Sequence, residues 1–191
     1  MLKFIGFFGA LAFLQALSYT QANMDGGPGL WFVHGVEDCQ EQLTRVVLNI
    51  TMKKHKLNRT HDVYDTFMDV HEKVGVDGDG VLLDICKHTD GGCKQMQVVT
   101  DNDIEGFAER YAEKNMVEAF SMAGIDPPRF PIDPGSYAVE NFYFDHCEMP
   151  EESIYGEFTA DAFIVRDTVR VACFRVHVEF REDEDNYCDR G

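Results

Sequence analysis

Six cysteines constrain the fold of this sequence more than any other feature. They are Cys39, Cys86, Cys93, Cys147, Cys173 and Cys188. An even number of cysteines in an exported chain indicates paired thiols, so we predict three disulfides. Cys86 and Cys93 are the easiest local pair, because the glycine-containing turn between them lets the chain fold straight back. The partners of the other four are left open by spacing alone.

The N-terminus supports export. Lys3 precedes a long apolar run, and small and polar residues follow as far as Ala22. This order is typical of a secretory signal peptide, so we predict a signal at residues 1–22, cleaved after Ala22 or alternatively after Ser18. A membrane span is the rival interpretation, but Gln15 interrupts the apolar run before the roughly 20 residues that a span needs.

The remaining chain is expected to be one secreted, extracellular domain. No internal repeat or linker divides residues 23–191. Two sequons, at Asn49 and Asn58, predict N-glycosylation and therefore solvent-facing asparagines. The net charge of −17 repels phosphate backbones, which argues against nucleic acid as a partner.

Most of the chain has the pattern of β-strands. Alternating or β-branched stretches predict strands near residues 43–53, 63–74, 80–86, 136–145, 157–165 and 169–180. The glycine-rich residues 23–30 are predicted to be irregular, and residues 181–186 to form a charged tail.

One segment has helical spacing. Apolar residues recur between Asp101 and Ala123 at the period of an amphipathic helix, which Asp101 or Asp103 caps and Gly124 ends. We expect this helix to lie against the sheets.

Catalytic and metal motifs are not found. Asp101 and Asp103 resemble the start of a calcium loop, but Ala112 stands where a bidentate glutamate is required. Asp77 and Asp79 are better explained as a turn. The serines lack the setting of a hydrolase nucleophile and the histidines lack zinc-ligand spacing. We therefore predict a non-enzymatic protein without metal or cofactor.

Several short motifs, in their order along the chain, resemble those of a known group. They are Asp38-Cys39, the loop from Cys86 to Cys93, Phe130-Pro-Ile-Asp-Pro-Gly-Ser-Tyr137, Met149-Pro150, Gly156-Glu-Phe and Val171-Ala-Cys173. Together they resemble the ganglioside-activator-like proteins, and within them the CheB-type insect chemosensory proteins of the ML-like lipid-recognition superfamily. The resemblance covers residues from about Trp31 to Phe180.

The resemblance implies a mainly β fold: a two-sheet antiparallel β sandwich that forms a lipid-recognition cup, with one amphipathic helix and three disulfides. By the family's pattern Cys39 pairs with Cys173, Cys86 with Cys93, and Cys147 with Cys188. The sequence lacks the extra middle-loop cysteines of the activator itself, so the chemosensory branch fits better than a ganglioside carrier.

A ligand cavity is also predicted from the alternation of the last two strands. Alanines on their inner faces leave space, although aromatic side chains from the opposite sheet or the helix could fill it. With the resemblance, a cavity is favoured, and the helix is a candidate lid. We predict ligand contacts at Phe107, Tyr111, Phe120, Phe142, Phe158, Ala160, Ala162 and Phe174, with ordinary core packing as the alternative for the three helix residues.

The predicted function is binding of an apolar small molecule or lipid, such as a hydrocarbon-like signal, in chemosensory or pheromone perception, with a membrane receptor as a further partner. Two alternatives remain. An extracellular recognition protein of immune type would use its outer surface, and a lipid-presenting activator would hand its ligand to a hydrolase.

Overall fold

The protein is mainly β. The computed structural model describes residues 25–39, 41–59, 62–183 and 187–188. Within them, nine antiparallel strands form one hydrogen-bonded sheet in the order β5-β4-β8-β9-β1-β2-β3-β6, with β7 paired to β1. The strands are β1 (Gly26–Asp38), β2 (Leu48–Lys56), β3 (Asp62–Val70), β4 (Asp79–Thr89), β5 (Gly92–Asp101), β6 (Gly135–Phe142), β7 (Glu152–Ile154), β8 (Gly156–Arg166) and β9 (Val169–Glu182). Helix α1 spans Ile104–Met122.

The sheet has two halves that pack on each other. They are joined at β1, which shares a long ladder with β9 but a single register pair, Val36 and Met52, with β2. Leu48 and Met68 from one half lie in the same buried cluster as Ile164 and Ala172 from the other. The predicted mainly β fold with one helix and three disulfides is confirmed, and the two expected sheets are halves of one continuous sheet.

Strands β8 and β9 follow the predicted alternation. Their register pairs Phe158 with Val178, Ala160 with Val176, and Ala162 with Phe174, so the predicted inner residues share one face of the sheet. Side chains in a strand alternate between faces, and this period is set by the sequence itself.

Strand β1 corrects the prediction that residues 23–30 are irregular. The strand begins at Gly26 and runs through the glycine-rich segment. Glycine is required there because neighbouring backbones approach closely: a Cβ on Gly29 would lie 2.3 Å from the carbonyl oxygen of Arg181. Arg181 and Glu182 accordingly belong to β9 rather than to a charged tail. Asp183 follows the end of β9, and residues 184–186 of the predicted tail lie outside the described residues, as does the predicted signal peptide.

Two further strands were not predicted. Strand β5 is an edge strand of mostly exposed, polar residues that returns from β4 through the predicted turn. Strand β7 has only three residues, which pair with the start of β1. Neither segment buries one of its faces, so its sequence lacks the alternation of apolar and polar residues that predicts a strand.

The helix begins and ends close to the predicted positions. The Asp103 carboxylate accepts a hydrogen bond of 3.0 Å from the Gly106 N–H, and Gly124 follows the helix with a φ of +75°. The helical backbone is interrupted at Ala112 (φ −160°, ψ 40°). The Glu148 carboxylate accepts the N–H groups of the next turn, including that of Asn115 at 2.7 Å, and so caps the second part of α1.

Three disulfides fasten the chain. They join Cys39 to Cys173, Cys86 to Cys93, and Cys147 to Cys188, the pairs that the family resemblance implied. The first joins the end of β1 to its neighbour β9, and the second bridges the β4–β5 hairpin. Among the described residues, no helix has the length and apolar character needed to cross a membrane.

Candidate functional site

A cleft of about 880 Å³ lies where the start of β1, the end of β9 and the open ends of β2 and β3 meet residues 143–155. We call it the aromatic cleft, because six aromatic side chains are among the residues that line it: Phe32, Tyr64, Tyr143, Tyr155, Phe180 and Tyr187. Its volume is within the usual range of small-molecule sites, roughly 300 to 1,000 Å³.

Ring contacts hold the wall of the cleft in place. The Phe180 side chain is fully buried, and its ring stacks on Tyr155 with centroids 5.6 Å apart. Trp31 packs on the same ring at 4.9 Å and on Phe158 at 5.9 Å. Such aromatic pairs add stabilisation beyond the area that they bury. The wall is therefore built from rings that contact one another.

Tyrosine hydroxyls supply neutral polar groups. Tyr64 is buried and donates a hydrogen bond of 2.7 Å to the carbonyl oxygen of Val33, and burial raises its pKa to about 12. The hydroxyls of Tyr143 and Tyr187 lie 3.0 Å apart, and that hydrogen bond raises the pKa of Tyr143 to about 12. Both phenols therefore stay protonated at neutral pH.

His146 lies between aromatic rings at the cleft. Its ring centroid is 5.1 Å from that of Phe32 and 5.4 Å from that of Phe144. Its Nδ1 atom is buried and finds no hydrogen-bond partner among the described residues. Burial lowers the pKa of His146, because a low-dielectric surrounding disfavours the imidazolium. The ring is thus a neutral part of the wall.

The charged residues of the cleft are mostly acidic. Among the described residues that line it, the permanent cations are Lys54 and Arg181, whereas the carboxylates are Asp62, Glu179, Glu182 and Asp183. Lys54 forms an ion pair with Asp62 at 3.0 Å. The Arg181 guanidinium lies 3.7 Å from the centroid of the Phe32 ring, a cation–π contact.

The predicted ligand residues on β8 and β9 lie elsewhere, on the inner face of the sheet. Ala160 and Phe174 are half-buried, and Ala162 and Phe158 are buried. On the neighbouring strand Leu83 and Ile85, which are also half-buried, pair with Ala162 and Ala160. The sequence therefore located a continuous apolar face, part of which remains accessible.

The predicted ligand residues on α1 and β6 do not lie together at one site. Phe107 packs on Tyr111, which is exposed, with ring centroids 4.8 Å apart. Phe120 is buried in the main core and contacts Phe130 edge to face at 5.3 Å. Phe142 is buried in a second core cluster with Tyr64 and Val139. None of the eight predicted ligand residues is among those that line the aromatic cleft.

Sequence reasoning missed the cleft because its residues come from segments far apart in the chain. Phe32 follows the segment predicted to be irregular, and Tyr187 follows the charged run. One signal was available at Tyr187, a large aromatic residue beside the charged run, and it is exposed in the structure.

A smaller, polar pocket of about 420 Å³ lies on the opposite face of the same strands. Four side chains from four strands form a hydrogen-bonded chain across it. His88 contacts the Thr159 hydroxyl at 2.8 Å, which contacts His177 at 3.1 Å, and His177 contacts Glu37 at 3.1 Å. Across the described residues, no group of three or more His, Cys, Asp or Glu side chains is arranged to hold a metal ion.

Both predicted glycosylation acceptors are exposed. Asn49 lies on β2 with its amide nitrogen 3.0 Å from Nε2 of His71, and Asn58 follows the end of β2. These positions are compatible with glycans, which remain a prediction.

The fold and the cleft together define a disulfide-bonded antiparallel β protein with a ligand-sized aromatic site. No protein-family model matches the sequence, and a search of curated proteins finds no match. The family resemblance of its motifs thus stays a prediction.

Proposed function

We propose that this protein is a secreted, non-enzymatic binding protein for a hydrophobic ligand, a lipid or hydrocarbon-like signal, that acts in chemosensory or pheromone perception. The aromatic cleft is the observation that carries the proposal. Its size suits an apolar molecule, which gains about 25 cal/mol for each Å² of apolar surface removed from water. Four of its aromatic side chains are accessible to a ligand, namely Phe32, Tyr143, Tyr155 and Tyr187.

The half-buried inner face of β4, β8 and β9 supports the same proposal. Ile85, Ala160 and Phe174 offer apolar surface that the protein's own side chains only partly cover. The family resemblance favours this face as the floor of a cup. The cleft and the inner face are therefore two separate places where an apolar ligand could bind, and variants can distinguish them.

Secretion is proposed on chemical grounds. Three disulfides use all six cysteines, and disulfides persist in oxidising compartments outside the cytosol. The predicted signal peptide and glycans agree with this compartment.

Binding can be tested on protein secreted from eukaryotic cells with its disulfides intact. Native mass spectrometry should detect co-purified apolar ligand, and the protein should bind an uncharged fluorescent apolar probe. His34→Trp, at the cleft, and Ala160→Phe, on the inner face, add bulk at the two places. The variant that reduces uptake identifies the binding place.

The control is His55→Trp, since His55 is an exposed histidine outside the cleft that contacts a carboxylate, as His34 does. It should leave uptake unchanged. A protein that carries no ligand and binds no uncharged apolar probe would contradict the proposal.

Recognition through the outer surface is the second candidate. The polar pocket containing His88, Thr159 and His177 favours it, because convergent polar groups on a sheet face suit a hydrophilic partner. Under this alternative His177→Ala would abolish partner binding, while uptake of apolar probes would be absent from the start.

A further inference from the structure

We propose that the aromatic cleft selects ligands that carry an ammonium group on an apolar body. This inference rests on the proposed function, because it names the head group of the ligand held in that cleft.

The cleft has an excess of negative charge. Four carboxylates face two permanent cations among its described residues. One carboxylate, Asp62, is neutralised by Lys54. Glu182 is exposed and has no ion-pair partner among the described residues, and Asp183 accepts only the backbone N–H of Tyr187 there. A cationic head group would therefore meet unneutralised carboxylates.

The aromatic rings add to this preference. Tyr143 and Tyr187 are exposed at the cleft, and a hydrogen bond joins their hydroxyl groups. The face of an aromatic ring carries partial negative charge, and rings grouped around a site are a known means of binding ammonium groups. Tyr155 and Glu182 lie along the same cleft, so ring and carboxylate surfaces occur together.

An anionic head group is disfavoured. Arg181 keeps its positive charge in its contact with the Phe32 ring, but the carboxylates of Glu179, Glu182 and Asp183 outnumber it in the same cleft. The net charge of −17 produces a negative potential that repels anions and concentrates cations near the surface.

The test compares three amphiphiles that share a decyl chain, namely decyltrimethylammonium, decanol and decanoate. Each is used below its micelle concentration to displace a fluorescent apolar probe from the secreted, oxidised protein. We expect the ammonium compound to bind at least about fivefold more tightly than decanol, and decanoate to bind most weakly. Added salt should reduce the difference.

Variants locate the effect. Glu182→Gln should reduce the ratio of ammonium to decanol affinity by about twofold or more. Glu118→Gln, an exposed change on α1, is the matched control and should have no effect. Equal binding of all three amphiphiles, or tighter binding of decanoate, would overturn the ammonium preference and leave the proposed function intact. No binding of any of them would overturn the proposed function as well.

Discussion

The carboxylate of Asp79 and the guanidinium of Arg166 form a two-point ion pair between the ends of β4 and β8. Nε of Arg166 lies 2.6 Å from Oδ1, and Nη2 lies 2.8 Å from Oδ2. The Asp79 side chain is completely buried, and its Oδ2 also accepts the N–H groups of Gly75 and Val76. Asp79 thus forms the turn that the sequence predicted and also holds two strands together.

Loss of this pair should be costly. Asp79→Ala removes the buried carboxylate, and Arg166 then keeps only Glu72 at 3.6 Å and the carbonyl oxygen of Lys73 at 2.7 Å. We expect the free energy of unfolding to fall by about 3 kcal/mol. Urea unfolding measures the change. The control is Glu41→Gln, which breaks the exposed ion pair with Arg170 and should cost less than about 1 kcal/mol. Equal losses of unfolding free energy in both variants would show that the cost of breaking an ion pair does not depend on its burial.

The disulfides should differ in their contribution to stability. Cys39 and Cys173 are 134 residues apart, whereas Cys86 and Cys93 are 7 apart. A cross-link that closes a longer loop restricts the unfolded chain more, so replacing the first pair with serine should cost about 2 to 3 kcal/mol more than replacing the second. Denaturant titration of the two double-serine variants tests this order. Removal of the hairpin disulfide should leave a folded protein, and a larger loss from it would contradict the prediction.

Two glycines on β1 provide a matched pair. Gly29→Ala places a methyl group against the Arg181 backbone, whereas a Cβ on Gly35 would meet nothing within 4 Å. We expect Gly29→Ala to destabilise the protein by about 1 to 3 kcal/mol, because the strands must separate. Gly35→Ala should change stability little. Thermal unfolding followed by circular dichroism compares the two, and similar melting temperatures would contradict the close packing of β1 and β9.

His146 should make stability depend on pH. Its pKa is lowered from 6.5 in the folded protein, so the unfolded chain binds the proton more readily. The contribution to stability is therefore fully present above pH 6.5, and it is lost as the pH falls from there through the lower folded-state pKa.

The change His146→Phe should remove this part of the pH dependence, because an apolar ring cannot take up the proton. Urea unfolding of the variant and the wild type between about pH 7 and about pH 5 measures the difference. A His146→Phe variant with an unchanged slope would contradict the assignment.

Local signals in the sequence predicted most of the regular structure. The alternation in β8 and β9 predicted which residues share a face, and the cap at Asp103 and the stop at Gly124 predicted the limits of α1. The prediction failed for the glycine-rich start of β1, because glycine in a strand has no side chain to reveal the pattern. The reason for those glycines is visible only in the neighbouring strand.

The candidate site was less predictable than the fold. Phe32, Tyr64, Tyr143 and Tyr187 come from four separate segments, and nothing in their local sequence indicates that they line one cleft. The predicted ligand residues were chosen from strand alternation and helical spacing, which identify faces of elements but not the spaces between elements.

By itself, the sequence determined the features that depend on neighbouring residues: the period of the strands, the caps of the helix, the turn before β5 and the oxidisable cysteines. Only the tertiary structure decided the contacts between distant residues. It placed Asp79 beside Arg166, which is 87 positions away, and it gathered the walls of the aromatic cleft. The physical reason is that strand alternation and capping act over a few residues, whereas strand order and close packing depend on the whole chain at once.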